Sequence, residues 1–179
     1  MKRLTTLIFA LTLMFSVSAQ EPLSYSYVIQ KDSATAVQIY DALMDFIATE
    51  FVATDGDFYH DKDALVITKD VRVNFSPNVF TRVYDGDIRY KIKFQCRDGR
   101  FKMELTNFCH RSYGTSKEPG DRYTFGLIGK RFVDLNNMTP KSYNEKVWNQ
   151  ITERCAAEAE GMRRRMDKLN VTPDRRNDW

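Results

Sequence analysis

The segment from Ile88 to Phe108, IRYKIKFQCRDGRFKMELTNF, constrains this chain more than any other. Two alternating runs flank Asp98-Gly99, a pair that favours a two-residue hairpin turn because type I′ geometry needs positive φ at both central positions. With these two residues at the turn, Arg97 faces Arg100. The pairs Cys96–Phe101, Phe94–Met103, Ile92–Leu105, Tyr90–Asn107 and Ile88–Cys109 then follow. Between them lie Arg89, Lys91, Lys93 and Gln95 on one strand and Lys102, Glu104 and Thr106 on the other. One face is apolar and the other polar, the pattern of an antiparallel sheet covered on one side only. Lys93 falls opposite Glu104, which predicts an exposed cross-strand ion pair worth about 0.2–1 kcal/mol. A slip of one residue would turn the cations into the core, so the register is expected to be firm.

The first nineteen residues do not belong to this fold. Lys2 and Arg3 precede an apolar run from Leu4 to Phe15, and Val17-Ser18-Ala19 forms a small-residue cleavage site with Gln20 as the new N-terminus. This is the pattern of a secretory signal peptide, too short to span a bilayer stably. The expected organisation is a signal peptide at 1–19, one domain at 20–170 and a flexible polar tail at 171–179, with no transmembrane segment after processing. The formal charge of +3 falls to about +1 once Lys2 and Arg3 are removed, which, with export, argues against nucleic-acid binding. Aromatic residues make up 13% of the chain, enough to supply a core. An oxidising compartment permits disulfides among Cys96, Cys109 and Cys155. The hairpin separates Cys96 from Cys109, Cys155 falls on a helix over the same face, and the favoured reading is three buried free thiols.

Leu23 to Gln30 alternates as a first strand, and Asp32 or Ser33 is placed to cap a helix over Ala34 to Phe51. That helix carries Val37, Tyr40, Leu43, Met44, Ile47 and Phe51 at helical spacing. Thr54 to Asp63 reads as a loop and Ala64 to Phe75 as one long strand or two short ones with a break near Lys69-Asp70. Ser76 to Asp87 is a connection with a short strand possible at Val79 to Tyr84. Ser112 to Asp121 is a loop, and Tyr123 to Val133 packs aromatics on the domain without a definite element. Thr139-Pro140 starts a second helix, with Thr139 as N-cap and Pro140 at the first helical position. Its stripe is Tyr143, Val147, Ile151, Cys155, Ala159, Met162, Met166 and Leu169. Two helices with one apolar stripe each, and a sheet with one apolar face, give an α+β two-layer sandwich: an antiparallel sheet with two helices packed on one face.

Three pieces carry a family resemblance: Ile39-Tyr40-Asp41-Ala42-Leu43-Met44-Asp45-Phe46 on the first helix, Asp98-Gly99-Arg100-Phe101 at the turn, and Asn107-Phe108 at the end of the hairpin. With the exported start and the closing helix, the chain resembles the DUF4468 family over roughly Leu23 to Leu169, Tyr123 to Val133 not being matched. The resemblance implies a TBP-like fold and an exported protein of a Bacteroidetes-type, Gram-negative bacterium, periplasmic or at the cell surface. The family has no assigned function and no catalytic residues to transfer.

No motif assembles a catalytic, cofactor or metal site. The acidic loop with Asp55, Asp57, His60, Asp61 and Asp63 lacks EF-hand spacing. Cys109 and His110 are neighbours on a strand and point apart, Cys109 to the core and His110 to the surface. Gly126-Leu127-Ile128-Gly129-Lys130-Arg131 falls short of a phosphate loop. Arg163-Arg164-Arg165 reads as a solvated helix face. The open sheet face, centred on Arg89, Lys91, Lys93, Lys102, Glu104 and Thr106 and joined by Ser24, Ser26, Thr68, Arg72 and Asn74, is the expected partner surface for an envelope protein or an anionic glycan. A small-ligand carrier with a tyrosine-lined pocket between sheet and helices, and a small hydrolase using His60 or His110, are the alternatives.

Overall fold

The computed structural model describes residues 21–51 and 57–171. The expected signal segment and cleavage point at Ala19 and Gln20, Asp55 of the acidic loop, and the residues from Thr172 on lie outside those residues. In chain order the elements are β1 (Tyr25–Gln30), α1 (Ala36–Glu50), β2 (Phe58–Asp61), β3 (Val66–Phe75), β4 (Gly86–Arg97), β5 (Arg100–Ser112), a 3₁₀ turn (Gly120–Tyr123), β6 (Gly126–Leu127) and α2 (Lys141–Asp167). The strands form one six-stranded antiparallel sheet ordered β1-β5-β4-β3-β2, with β6 also on β5. Both helices lie on one face, as two apolar stripes and one apolar sheet face require. Between them Ile39, Leu43, Ile67, Ile92, Phe94, Met103, Leu105, Ile151 and Met162 are wholly buried.

The hairpin pairs as its alternation dictates from Arg97–Arg100 to Lys91–Thr106, and then changes register. Arg89 pairs with Cys109, so Asn107 and Phe108 together oppose Tyr90 alone. Asn107 has φ 58°, a left-handed conformation that asparagine accepts more readily than most residues. This is a β-bulge, and it exchanges the faces of everything after it on β5. Ile88 therefore faces His110 and not Cys109, and Tyr90 has Phe108 as well as Asn107 opposite it. Phe108 turns inward and stacks on Tyr90 at 5.0 Å, His110 is fully buried, and Cys109 and Arg111 join the open face. The expected placement of Cys109 in the core and His110 at the surface is reversed.

Other local readings shift for identifiable reasons. Among the two turn residues only Gly99 has positive φ (71°), so the turn is not type I′. It is clamped from outside: Gly99 N–H donates to Ala34 O, Lys31 N–H donates to Gly99 O, and Asp98 Oδ1 accepts the Ala36 N–H at the start of α1. The cap of α1 is Thr35 rather than Asp32 or Ser33, in a capping box with Gln38. On α1 Val37 is exposed and Ile39 is buried in its place. Phe58–Asp61, read as loop, is an edge strand on β3. Val79 to Tyr84 forms no strand, yet it delivers a fully buried Tyr84. Pro140, not Thr139, is the N-cap of α2 and brings no side-chain hydrogen bond; the Tyr143 and Asn144 amides turn back to its carbonyl. The stripe of α2 is buried from Val147 to Met166 and widened by Asn144 and Trp148, while Tyr143 is half-buried and Leu169 lies past the helix end.

Tyr123 to Val133 now has a place. Ile128 N–H donates to Phe108 O at 2.7 Å and Leu23 N–H donates to Ile128 O at 2.9 Å, so the segment runs beside β5 past the end of β1. Its aromatics make a small second core. Phe125 and Phe132 pack edge-on to Trp148, and Tyr123 packs edge-on to Tyr84. Tyr84 donates to Asn144 Oδ1 at 2.6 Å and Asn144 Nδ2 donates to Asp134 at 2.7 Å, whereas the hydroxyl of Tyr143, tilted against Tyr84, is buried without a hydrogen-bond partner among the described residues.

Candidate functional site

The sheet face away from the helices is built by alternation. It takes Ser26 and Val28 from β1, Thr68, Asp70 and Arg72 from β3, Asp87, Arg89, Lys91 and Lys93 from β4, and Lys102, Glu104, Thr106, Cys109 and Arg111 from β5. Every residue of the expected partner surface, Arg89, Lys91, Lys93, Lys102, Glu104 and Thr106, lies on it. Lys91 pairs loosely with Asp70 at 3.6 Å. Glu104 pairs with Lys102 at 2.7 Å along its own strand rather than with Lys93 across from it.

At one end of this face the bulge adds a cluster that alternation alone does not show. Asp87 sits on the polar side of β4 and is nevertheless wholly buried, roofed by other side chains. Arg72 Nε donates to Asp87 Oδ2 at 2.8 Å, Arg89 Nε donates to Oδ1 at 3.0 Å, and the Tyr113 hydroxyl donates to Oδ2 at 3.3 Å. Arg72 also donates to the Tyr113 hydroxyl at 2.9 Å with its guanidinium over that ring. Arg72 and Arg89 are directly opposite across β3 and β4, a like-charge pairing that repels unless an anion lies between. Asp87 is that anion. The hydrogen bond from Arg72 to Tyr113 and the nearby Asp87 charge raise the Arg72 pKa further above its ordinary value. Arg111 lies across β5 from Asp87 and is exposed. Its strand approaches so closely that a Cβ on Gly86 would fall 1.9 Å from the Arg111 carbonyl oxygen, so that position needs glycine.

Hollows line this face. One of about 600 Å³ is bounded by Asp57, Asp70, Arg72, Arg89, Lys91 and Asn107. A second of about 440 Å³ is bounded by Arg72, Asp87, Arg89, Arg111, Tyr113 and Asp121. A third of about 480 Å³ lies between Tyr59, Thr68, Lys91, Lys93, Glu104 and Thr106.

The remaining candidate residues are engaged elsewhere. His110 accepts the Phe125 N–H at Nδ1 and approaches the Tyr84 carbonyl with Nε2 at 3.2 Å, which defines a neutral ring protonated at Nε2. Burial lowers its pKa to about 4. His60 Nδ1 is 2.8 Å from the Tyr40 hydroxyl. Cys96, Cys109 and Cys155 are free thiols; burial pushes Cys96 and Cys155 up to about 12 and also raises Cys109. Asp61 caps the turn after β2 by accepting the amides of Asp63 and Ala64. Among the described residues no group of three or more His, Cys, Asp or Glu is placed to hold a metal ion. Arg163 and Arg164 pair with Glu160, and Arg165 pairs with Glu50 of α1. The tyrosines expected to line an inner pocket pack instead in the core or at its rim, Tyr90 reaching Glu158 at 3.4 Å and Tyr40 reaching His60. Sequence reasoning missed Asp87, Arg111 and Tyr113; the available signal was Asn107 followed by a second consecutive bulky residue, Phe108.

Residues 25–111 match the family model of DUF4468, a domain of unknown function with a TBP-like fold. Among solved structures, a TBP-like protein from Parabacteroides distasonis superposes with a TM-score of 0.51 at 15% identity, covering 78% of this chain and 91% of that one. A DUF4468 family protein from Bacteroides ovatus covers 87% of this chain and 90% of that one at 16% identity, with a TM-score of 0.42. No curated protein sequence matches the chain. At 15% identity the P. distasonis likeness is one of fold.

Proposed function

From the premise that residues 25–111 belong to the DUF4468 family, we propose that this is an exported, non-enzymatic binding module that docks an acidic segment of an envelope protein on its open sheet face. One observation carries the reading. The face left bare by both helices sets Arg72, Arg89, Lys91, Lys93, Lys102 and Arg111 against Asp70, Asp87 and Glu104, around hollows of several hundred Å³. A cationic concave face suits an anionic partner, speeds its encounter and disfavours cationic competitors. The hollows described above open on this face, whereas the layer between sheet and helices is filled by buried side chains, which favours docking over an enclosed small-ligand pocket. A binding role also accords with thiols held protonated and with a neutral, fully engaged His110, which are poor nucleophiles and bases.

The test is cross-linked capture from the native cell envelope, with wild-type bait beside a Lys91→Glu, Lys93→Glu variant of unchanged melting temperature. The expected outcome is a partner held by wild type through an acidic segment and lost by the variant. A partner retained by both would move the site to the helices or loops, and cross-links to an anionic glycan would replace the protein partner.

A further inference from the structure

Resting on that docking reading, we propose that Arg72, Arg89 and Arg111, seated around the buried Asp87, form the anchor that receives a single carboxylate, an Asp or Glu side chain of the docked acidic segment. Two features of the cluster point to a ligand and not to structure alone.

The first is geometry. Arg72 engages the cluster through Nε to Asp87 and one terminal nitrogen to Tyr113, and Arg89 engages through Nε and one terminal nitrogen to Asp87. Each guanidinium has five donors, so each keeps unspent N–H groups beyond these bonds. Asp87 and the Tyr113 hydroxyl fix both planes in advance, so little side-chain freedom is lost when an anion binds. Arg111 has no carboxylate partner among the described residues and borders the same hollow of about 440 Å³. An Arg fork matches the two oxygens of a carboxylate.

The second is charge. Three guanidinium groups share that hollow with Asp87 and, at its rim, Asp121. The excess is one positive charge, which a carboxylate neutralises. A phosphate, at about −1.5 to −2 near neutral pH, would overcompensate it and meet Asp121.

The experiment follows the side-chain Nε–H NMR signals of Arg72, Arg89 and Arg111 at low salt. The probes are capped tetraglutamate, capped tetraglutamine, inorganic phosphate and polygalacturonate. Tetraglutamate is expected to move all three signals and tetraglutamine none. Arg111→Gln is expected to weaken tetraglutamate about tenfold or more, the usual loss for one charge-assisted hydrogen bond, with no change in melting temperature because the Asp87 bonds are untouched. Equal response to tetraglutamine, unchanged affinity in Arg111→Gln, or tighter binding of phosphate or polygalacturonate would overturn the carboxylate anchor. Loss of partner capture in the Lys91→Glu, Lys93→Glu variant without any tetraglutamate response would overturn the anchor and leave docking standing. A tetraglutamate response with capture insensitive to that variant would overturn docking across the whole face.

Discussion

At Asn107 the backbone goes left-handed, and the next five residues of β5 exchange faces. An L-residue pays about 1–2 kcal/mol to sit there, less for asparagine and almost nothing for glycine. Asn107→Ala is therefore expected to lower stability by about 1 kcal/mol, while Asn107→Gly stays within about 0.5 kcal/mol of wild type. Urea unfolding with an unchanged m-value checks both; equal losses for the two would mean that the conformation at 107 is not under strain. Up to Lys91 and Thr106 the pairing was legible in the alternation of IKFQC against FKMEL. Beyond that point alternation misleads, because a period of two carries no mark of an inserted residue. The physical trace is Phe108, an aromatic on the polar parity that only a bulge can bury.

Among the elements, the hairpin turn does more than reverse the chain. Asp98 accepts the first free amide of α1 at 2.8 Å, while Thr35 and Gln38 satisfy their own amides reciprocally. A carboxylate at a helix N-terminus is stabilising both as a cap and through the dipole. Asp98→Ala should cost about 1 kcal/mol in urea unfolding, whereas a residue serving the turn alone would cost a few tenths. Local chemistry placed Asp-Gly at the turn correctly; its docking on α1 is a tertiary contact, and that contact selects a turn with positive φ at Gly99 only. The helices were legible for the same reason the first half of the hairpin was, a sustained apolar period. β2 was not, since Phe58–Asp61 is four residues long, exposed, and set among acids that read as a loop.

On the scale of the whole molecule, the sequence disclosed a covered face and a bare one, and the bulge decides which charged groups the bare one holds. Asp87, Arg111 and Tyr113 come together only because β5 shifts by one. The same shift buries His110 and gives stability a pH dependence. Its folded pKa of about 4 lies below the unfolded value of 6.5, so the neutral ring is the favoured folded form. The contribution is complete above pH 6.5, falls as pH drops toward 4, and amounts to about 3 kcal/mol between those limits. Glu160, held at about 2 by hydrogen bonds from Arg163 and Arg164, adds a loss in the same direction only below its ordinary value of 4.5. The two windows are thus separable. The measurement that tests the bulge most directly is an NMR titration of the two imidazoles. With the faces exchanged at Asn107, His110 stays neutral at Nε2–H down to a pKa of about 4. A His110 that titrates near 6.5 as an exposed side chain would contradict the exchange, and with it the arginine cluster around Asp87.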